Sequence, residues 1–192
     1  MEGAPIEALN EGVRNFIASV QQDEVARYSV EIGVITFGGH VREQSPITPS
    51  HEISGIASLN SSGTTPMGQA VKLALQRLEE RKQQYKQTGT SYYQPWLVII
   101  SDGAPTDSGW EAAALQTTQL DQGKKLVVLP VGVGDGANMG ILSCFSSRGA
   151  KQLDGLKFNA FFHWLSASMS RVSASTPGCD VKIPSTSGWD TI

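Results

Sequence analysis

The stretch that decides the fold is Gln94-Pro95-Trp96-Leu97-Val98-Ile99-Ile100-Ser101-Asp102-Gly103-Ala104-Pro105-Thr106-Asp107. Trp96 to Ile100 form an unbroken apolar run rich in β-branched residues, which is typical of a strand buried on both faces. The run ends at Ser101 and Asp102, so a hydroxyl and a carboxylate follow the carboxyl end of a predicted central strand. Ligands bind at this end in open α/β sheets. Taken alone, Asp102 is equally well explained as a residue that caps a turn.

Strand and helix patterns alternate on both sides of this run. Predicted strands cover 28–37, 40–44, 96–100, 126–133 and 151–153, and predicted helices cover 5–20, 66–86, 107–122, 138–145 and 158–172. This alternation predicts an α/β fold with a doubly wound, mostly parallel sheet, helices on both faces and one antiparallel edge strand at 40–44. Thr65 is the expected N-cap of the second helix, with Pro66 as its first residue.

Length and composition limit the classes of function. The length of 192 residues and the hydrophobic content of 40% predict one globular domain over residues 1–173. Residues 174–192 are rich in Ser, Thr, Pro and Gly and predict a flexible tail. The net charge of −3 argues against nucleic acid as a partner. No segment suggests a membrane span or a signal peptide. We expect Cys144 and Cys179 to be free thiols, and we expect Cys144 to be buried. We therefore expect a cytoplasmic protein.

Two stretches carry a resemblance to a known family. Ser62-Gly63-Thr64-Thr65-Pro66-Met67-Gly68-Gln69-Ala70 and Leu97-Val98-Ile99-Ile100-Ser101-Asp102-Gly103-Ala104-Pro105-Thr106-Asp107 together resemble the von Willebrand factor A family. The chain is most similar to the bacterial tellurite-resistance TerY-type members, which its opening residues 1–12 and its closing residues 161–168 also resemble. The resemblance covers about residues 1–173.

The resemblance implies a Rossmann-like sheet and a metal-ion-dependent adhesion site at the carboxyl ends of its strands. The threonine ligand of the family falls on Thr65 and the aspartate ligand on Asp102. Both supply hard oxygen atoms of the kind that Mg²⁺ or Mn²⁺ prefers. The plainer alternative is that Thr65 only caps its helix and Asp102 only caps its turn.

The sequence departs from the family in one respect. The family motif D-x-S-x-S is missing, and so is the apolar first strand that should carry it. Met1 therefore resembles an internal methionine of the family, and we expect the metal site to be weak or vacant. In the family this strand lies between those at 30–37 and 96–100. We expect another segment to fill its position or, failing that, the two flanking strands to pair directly.

The function that the resemblance implies is a protein-interaction module in a bacterial tellurite-resistance or stress-response assembly. A metal at the edge of the sheet would accept an acidic side chain of the partner. The loops around the site would form the contact rim. Its predicted members are Gly39, His40, Gly63, Thr64, Ala104, Pro105, Asp107 and Asp135.

Two alternatives remain open. The first is an interaction domain of the same fold that uses no metal. The second is a nucleotide-dependent enzyme, because Gly132-Val133-Gly134-Asp135-Gly136-Ala137 fits G-x-G-x-x-A after a strand and Asp154 follows at the distance of a ribose-binding acid. The sequence contains no G-x-S-x-G elbow and no pair of strand-end carboxylates. No catalytic residue is therefore predicted, and an enzyme is not expected.

Overall fold

The computed structural model describes residues 1–191. Its helices are α1 (Ala4–Gln22), α2 (Ala26–Ser29), α3 (Met67–Thr88), α4 (Trp110–Gln122), α5 (Met139–Ser143) and α6 (Phe158–Ser173). Its strands are β1 (Glu31–Gly38), β2 (His40–Pro49), β3 (Trp96–Ser101), β4 (Val127–Val133) and β5 (Lys151–Leu153). A 3₁₀ turn spans Ser50–Glu52. The predicted α/β fold class is confirmed, and the apolar run Trp96 to Ile100 is a strand as predicted.

The strands form two sheets. In the first, β3, β4 and β5 are parallel, with Trp96 opposite Val127 and Ser101 opposite Gly132. In the second, β1 and β2 form an antiparallel hairpin, as predicted. β2 extends to Pro49 rather than ending at 44, because the register shifts beside Val34. Such irregularities in the pairing let a strand accommodate proline.

The sheet is open between β1 and β3. These strands belong to different sheets, and a cavity of about 820 Å³ separates them. The prediction that the two strands pair directly is wrong, and within residues 1–191 no rearranged strand takes the position between them. α1 packs on α6, while α3 packs on β1, β2 and α4.

Two apolar clusters stabilise the fold on either side of the strands. The first joins α1 and α6, where Phe16 and Phe162 lie with ring centroids 5.8 Å apart. A Cβ atom at Gly12 would clash with the Phe162 ring, so this glycine allows the two helices to approach closely. The second cluster joins α3, α4 and β4. Its fully buried members include Met67, Ala113, Leu126, Leu142 and Phe145.

The segment after α6 has little regular structure, but its end packs against the domain. Trp189 is buried, with ring centroids 4.8 Å from Phe161 and 5.3 Å from Trp164. Lys151 Nζ, at the start of β5, lies 2.6 Å from Asp190 Oδ2. The mobility of 174–192 and the boundary at 173 stay predictions, whereas Trp189 is a structural anchor that the sequence analysis did not identify.

Two further expectations concern the surface. Both cysteines are free, but Cys144 is exposed, so its predicted burial is wrong. The five-residue helix α5 ends just before Cys144 and leaves the thiol outside, where it donates to the Gly140 carbonyl at 3.4 Å. Among residues 1–191, none of the helices has the length and the apolar character that crossing a bilayer requires.

Candidate functional site

The carboxyl ends of β1 and β3 meet at one edge of the molecule. Just after β1, the Gly39 amide donates to the Thr64 carbonyl at 2.8 Å. Next in the chain, Thr65 and Thr106 exchange two hydrogen bonds. The Thr65 amide donates to Thr106 Oγ1, and the Thr106 amide donates to the Thr65 carbonyl, both at 2.9 Å. The loop before α3 therefore ties the end of β1 to the loop after β3.

This arrangement brings Thr65 close to the loop that carries Asp102. A Cβ atom placed on Gly103, the residue after Asp102, would lie 3.7 Å from Thr65 Oγ1. A third loop closes over the same point, because a Cβ atom on Gly136 would lie 2.9 Å from the Asp102 carbonyl oxygen. Loops that are far apart in the sequence thus converge on Asp102.

The Asp102 carboxylate has a cationic partner within the chain. The α-amino group of Met1 donates to Asp102 Oδ2 and forms an ion pair with it. The Asp102 side chain is 43% exposed, and that of Met1 is 14% exposed. Nothing in the sequence pattern indicated this contact, because it joins two residues 101 positions apart.

The residues at this edge do not fit a resident magnesium ion. Mg²⁺ takes about six oxygen ligands, several of which are waters. The two predicted ligands, Thr65 and Asp102, supply one hydroxyl and one carboxylate. Within residues 1–191, no group of three or more His, Cys, Asp or Glu side chains is arranged to hold a metal ion.

Asp107, a predicted member of the rim, binds the first turn of α3. Its Oδ1 accepts from the Gly68 amide at 3.1 Å and its Oδ2 from the Gln69 amide at 2.9 Å. The prediction that Thr65 caps this helix is wrong, since α3 begins at Met67 and Thr65 makes no side-chain cap. The orphan amides of the first turn are satisfied from another loop instead.

The other predicted rim residues lie on the same loops with different exposure. Gly39 and Gly63 are in close contact, because a Cβ atom on Gly63 would lie 2.8 Å from the Gly39 Cα atom. Ala104 and Pro105 are partly buried. The exposed members are Gly39, His40, Gly63, Thr64 and Asp135. Their role in binding stays a prediction. Thr106, which joins the loops, was not singled out, although it lies in the stretch that decides the fold.

The Gly132–Ala137 turn has a geometry that argues against dinucleotide binding. The helix that follows it has five residues, and Asn138 Oδ1 already accepts from the Ile141 amide at 3.0 Å at its start. A Cβ atom on Gly132 would clash with the Met139 sulfur, so side chains fill the space beside this glycine. Asp154 pairs with Lys157.

The cavity between β1 and β3 lies beneath this edge. A dry void costs about 24 cal/mol per Å³, so an empty space of 820 Å³ would cost about 20 kcal/mol. The whole net stability of a domain is about 5–15 kcal/mol. The space is therefore not a dry void within the fold.

An ion pair lies at the end of the cavity beside the start of β1. Arg81 Nε donates to Glu31 Oε2 at 2.8 Å, and Arg81 Nη2 also contacts Glu31. Burial acts to raise the pKa of Glu31, but the hydrogen bond and the charge of Arg81 outweigh it and lower this pKa below its ordinary value. Burial, followed by the hydrogen bond to Glu31, raises the pKa of Tyr85. The two charges at this end therefore compensate each other.

A family model covers most of the chain. The model described as "von Willebrand factor type A domain" matches residues 2–159. The chain belongs to the von Willebrand factor type A family. Domains of this family are general protein-interaction and adhesion modules. No curated protein sequence matches the chain significantly.

Solved structures show the same fold at low identity. Proximal thread matrix protein 1 from the mussel byssus is similar with a TM-score of 0.56 and 13% identity, over 84% of this chain and 42% of that one. Its second crystal form gives the same score and identity over 86% and 43%. The SpRpn10 VWA domain has a TM-score of 0.49 at 14% identity, over 76% and 74%. The chain thus spans less than half of the mussel protein's length.

Proposed function

We propose that this VWA domain is a protein-interaction module whose contact surface is the loop edge centred on Thr65 and Asp102. The observation that carries the proposal is the convergence of the loops after β1, before α3 and after β3, through the two hydrogen bonds between Thr65 and Thr106. Those bonds fix the position of an otherwise irregular surface, and rigid loops are well suited to binding.

In this proposal the Thr65 and Asp102 pair is the remnant of a metal-ion-dependent adhesion site. The partner contributes an acidic side chain, which the family would bind through a divalent cation. The similarity of residues 1–12 and 161–168 to TerY-type proteins supports a role in a bacterial tellurite-resistance or stress-response assembly in the cytoplasm. That placement rests on sequence resemblance.

A metal-independent interaction domain is the second candidate. The ligand count favours it, because Thr65 and Asp102 supply only two of the about six oxygen ligands that Mg²⁺ takes. A magnesium titration followed by thermal unfolding separates the two candidates, since a ligand that binds only the folded state raises stability. A remnant site predicts a rise in Tm with Mg²⁺ that Asp102→Asn abolishes. A metal-independent site predicts equal, small salt effects on both proteins.

The interaction itself is tested by comparing how well the wild type and two variants bind the partner. Wild type and Glu52→Gln, an exposed change on the 3₁₀ turn, should retain the same partner. The double variant Thr65→Ala/Asp102→Asn should lose it while still folding. Retention of the partner by the double variant at wild-type level would contradict the proposed contact surface.

A further inference from the structure

The outer edge of β5 pairs with a segment of the chain that lies beyond α6. β5 pairs with β4 on its inner side, and on its outer side an antiparallel bridge joins Leu153 to Asp190. Beside this bridge, the Asp154 amide donates to the Trp189 carbonyl at 2.8 Å. Residues 186–191, the strap, therefore add to the edge of the sheet as a short strand.

Side chains of the domain hold the strap at two adjacent residues. Trp189 is 1% exposed, and its ring centroid lies 4.8 Å from that of Phe161 and 5.3 Å from that of Trp164. Lys151 Nζ lies 2.6 Å from Asp190 Oδ2. The two aromatic rings, the lysine and the outer edge of β5 form the cradle. It contacts an indole ring, the carboxylate that follows it and an extended backbone, so it selects for all three together.

The strap contains a turn of its own. The Trp189 and Asp190 amides both donate to the Thr186 carbonyl at 3.1 Å, and Thr186 Oγ1 donates to Asp190 Oδ2 at 3.3 Å. These bonds lie within five consecutive residues, so a short peptide with the same residues has the contacts that favour this shape. Such preorganisation lowers the cost of ordering the peptide on binding.

A tether of residues 174–185 joins the strap to α6, and none of its residues is buried. Side chains of α6 bind the tether backbone at two points, the Pro184 carbonyl at 2.9 Å and the Lys182 carbonyl at 3.2 Å. Among residues 1–191 the indole N–H of Trp189 has no acceptor, and an unsatisfied buried donor weakens the docking of the strap. Release of the strap is therefore easier than unfolding of the domain.

We propose that the cradle is a second interaction site, which binds an extended partner segment of the pattern Thr-x-x-Trp-Asp and which the strap fills within the chain. The partner segment adds to β5 in the antiparallel direction. Its Trp packs against Phe161 and Trp164, and its Asp pairs with Lys151. This site is distinct from the loop edge centred on Thr65 and Asp102, and it does not depend on the function proposed for that edge.

A polypeptide fits the cradle better than a small aromatic ligand does. When the strap leaves, the Asp154 amide and the Gln152 carbonyl lose their partners, which are the Trp189 carbonyl and the Thr191 amide. An aromatic molecule would fill the space of the indole but would leave these backbone groups unpaired. A second backbone supplies a donor and an acceptor at the required spacing.

The strap competes with any partner for the cradle. Because it is tethered, its effective concentration at the cradle is of the order of millimolar. A partner binds only the fraction of molecules in which the strap is released, and its apparent affinity falls by that fraction. Release of the strap by substitution should therefore strengthen the binding of a partner segment.

The probe is the peptide acetyl-Ser-Thr-Ser-Gly-Trp-Asp-Thr-amide, which copies residues 185–191. Binding of a fluorescent form is measured at up to millimolar protein for the full chain as wild type, Trp189→Ala and Ser185→Ala. Trp189→Ala removes the buried anchor of the strap, whereas Ser185→Ala is an exposed change that leaves it in place. Trp189→Ala should bind the peptide about tenfold or more tightly than the other two proteins.

A charge exchange locates the peptide and gives two further proteins with a released strap. Asp190→Lys places a second cation against Lys151, and Lys151→Asp places a second carboxylate against Asp190, so each change repels the chain's own strap. Asp190→Lys should bind the plain peptide about tenfold more tightly than a peptide with Lys in place of Asp. Lys151→Asp should show the reverse preference. Circular dichroism checks the folding of each variant, and the charge variants carry the test if Trp189→Ala does not fold.

Four results would overturn the proposal. The first is no binding of the plain peptide by folded Asp190→Lys. The second is equal binding by wild type and a folded Trp189→Ala, because the strap would then not compete. The third is the same peptide preference in both charge variants, which would place the peptide elsewhere. The fourth is a wild-type dimer with exchanged straps, because a second copy of the chain would then be the occupant.

Discussion

Asp107 holds the first turn of α3 in place by accepting hydrogen bonds from the Gly68 and Gln69 amides at 3.1 and 2.9 Å. The carboxylate lies in the loop after β3, and the amides lie just after Thr65. The bond therefore connects the two loops that form the candidate interaction site. It also places a negative charge at a helix N-terminus, where the helix dipole favours it.

Removing this carboxylate should weaken both the fold and the site. Asp107→Ala should lower the free energy of unfolding by about 0.5–2 kcal/mol, the usual cost of losing a helix cap. Urea unfolding measures the loss. Asp135→Ala removes an exposed carboxylate from the same edge and should change stability by less than about 0.5 kcal/mol. Equal effects of the two variants would show that Asp107 does not hold the helix.

Gly63 is expected to be intolerant of a side chain. Its φ of +64° lies in the left-handed region, and a Cβ atom would lie 2.8 Å from the Gly39 Cα atom. Gly63→Ala should cost about 1–2 kcal/mol from backbone conformation alone, and the contact with Gly39 adds to it. Gly188→Ala, where a Cβ atom meets nothing within 4 Å, is the control and should be nearly neutral. Chemical denaturation of both variants tests the difference.

Trp189 should stabilise the whole domain although it lies in an irregular segment. Its ring contacts Phe161 and Trp164 and is almost completely buried. Trp189→Ala should lower the unfolding free energy by about 3–5 kcal/mol, as for other buried aromatic residues. Ser185→Ala, an exposed change in the same segment, should have little effect. A negligible loss in Trp189→Ala would mean that the segment is detached in solution.

Asp121 should make stability depend on pH in the acid range. Burial acts to raise its pKa, but hydrogen bonds from Ser147 and the charge of Arg148 outweigh it, so the folded pKa lies below the ordinary 3.8. A carboxyl with a lowered folded pKa stabilises the fold above its unfolded pKa, and this stabilisation is lost as pH falls through the folded pKa.

Asp121→Asn should therefore cost about 1.5–3 kcal/mol at pH 7 and progressively less below about pH 4. Unfolding by urea across this range is the measurement. Asp180→Asn, which changes a carboxylate exposed to 97%, is the matched control and should alter neither stability nor its pH profile. If wild type and Asp121→Asn showed the same dependence of stability on pH, Asp121 would not be the cause of that dependence.

The sequence predicted the elements that depend on local patterns. Trp96 to Ile100 was predictable as a strand from its unbroken apolar run, although only Ile99 of these five residues is fully buried in the structure. The proximity of the Thr65 and Asp102 loops was predictable only through family resemblance, because the β1–β2 hairpin and β3 belong to different sheets in the structure. By contrast, the bonds from Asp107 to Gly68 and Gln69 span 39 and 38 positions, and no local pattern indicates them.

The open space between β1 and β3 was harder to predict than any single strand. The edge of a strand has no signature of its own in the sequence, because backbone groups are the same at every residue other than proline. Whether β1 and β3 pair depends on contacts between residues far apart in the sequence, which no local pattern records. Trp189 was missed for a similar reason, since one aromatic residue in a Ser- and Thr-rich segment has no periodicity.

The most direct test of the opening between β1 and β3 is native-state amide exchange along β3 in the isolated chain. The account predicts an alternating pattern. The amides of Leu97 and Ile99, which point toward β4, should exchange about tenfold or more slowly than those of Trp96, Val98 and Ile100. Uniformly slow exchange at all five residues in a monomeric protein would show that β3 is paired on both edges, and it would contradict the account.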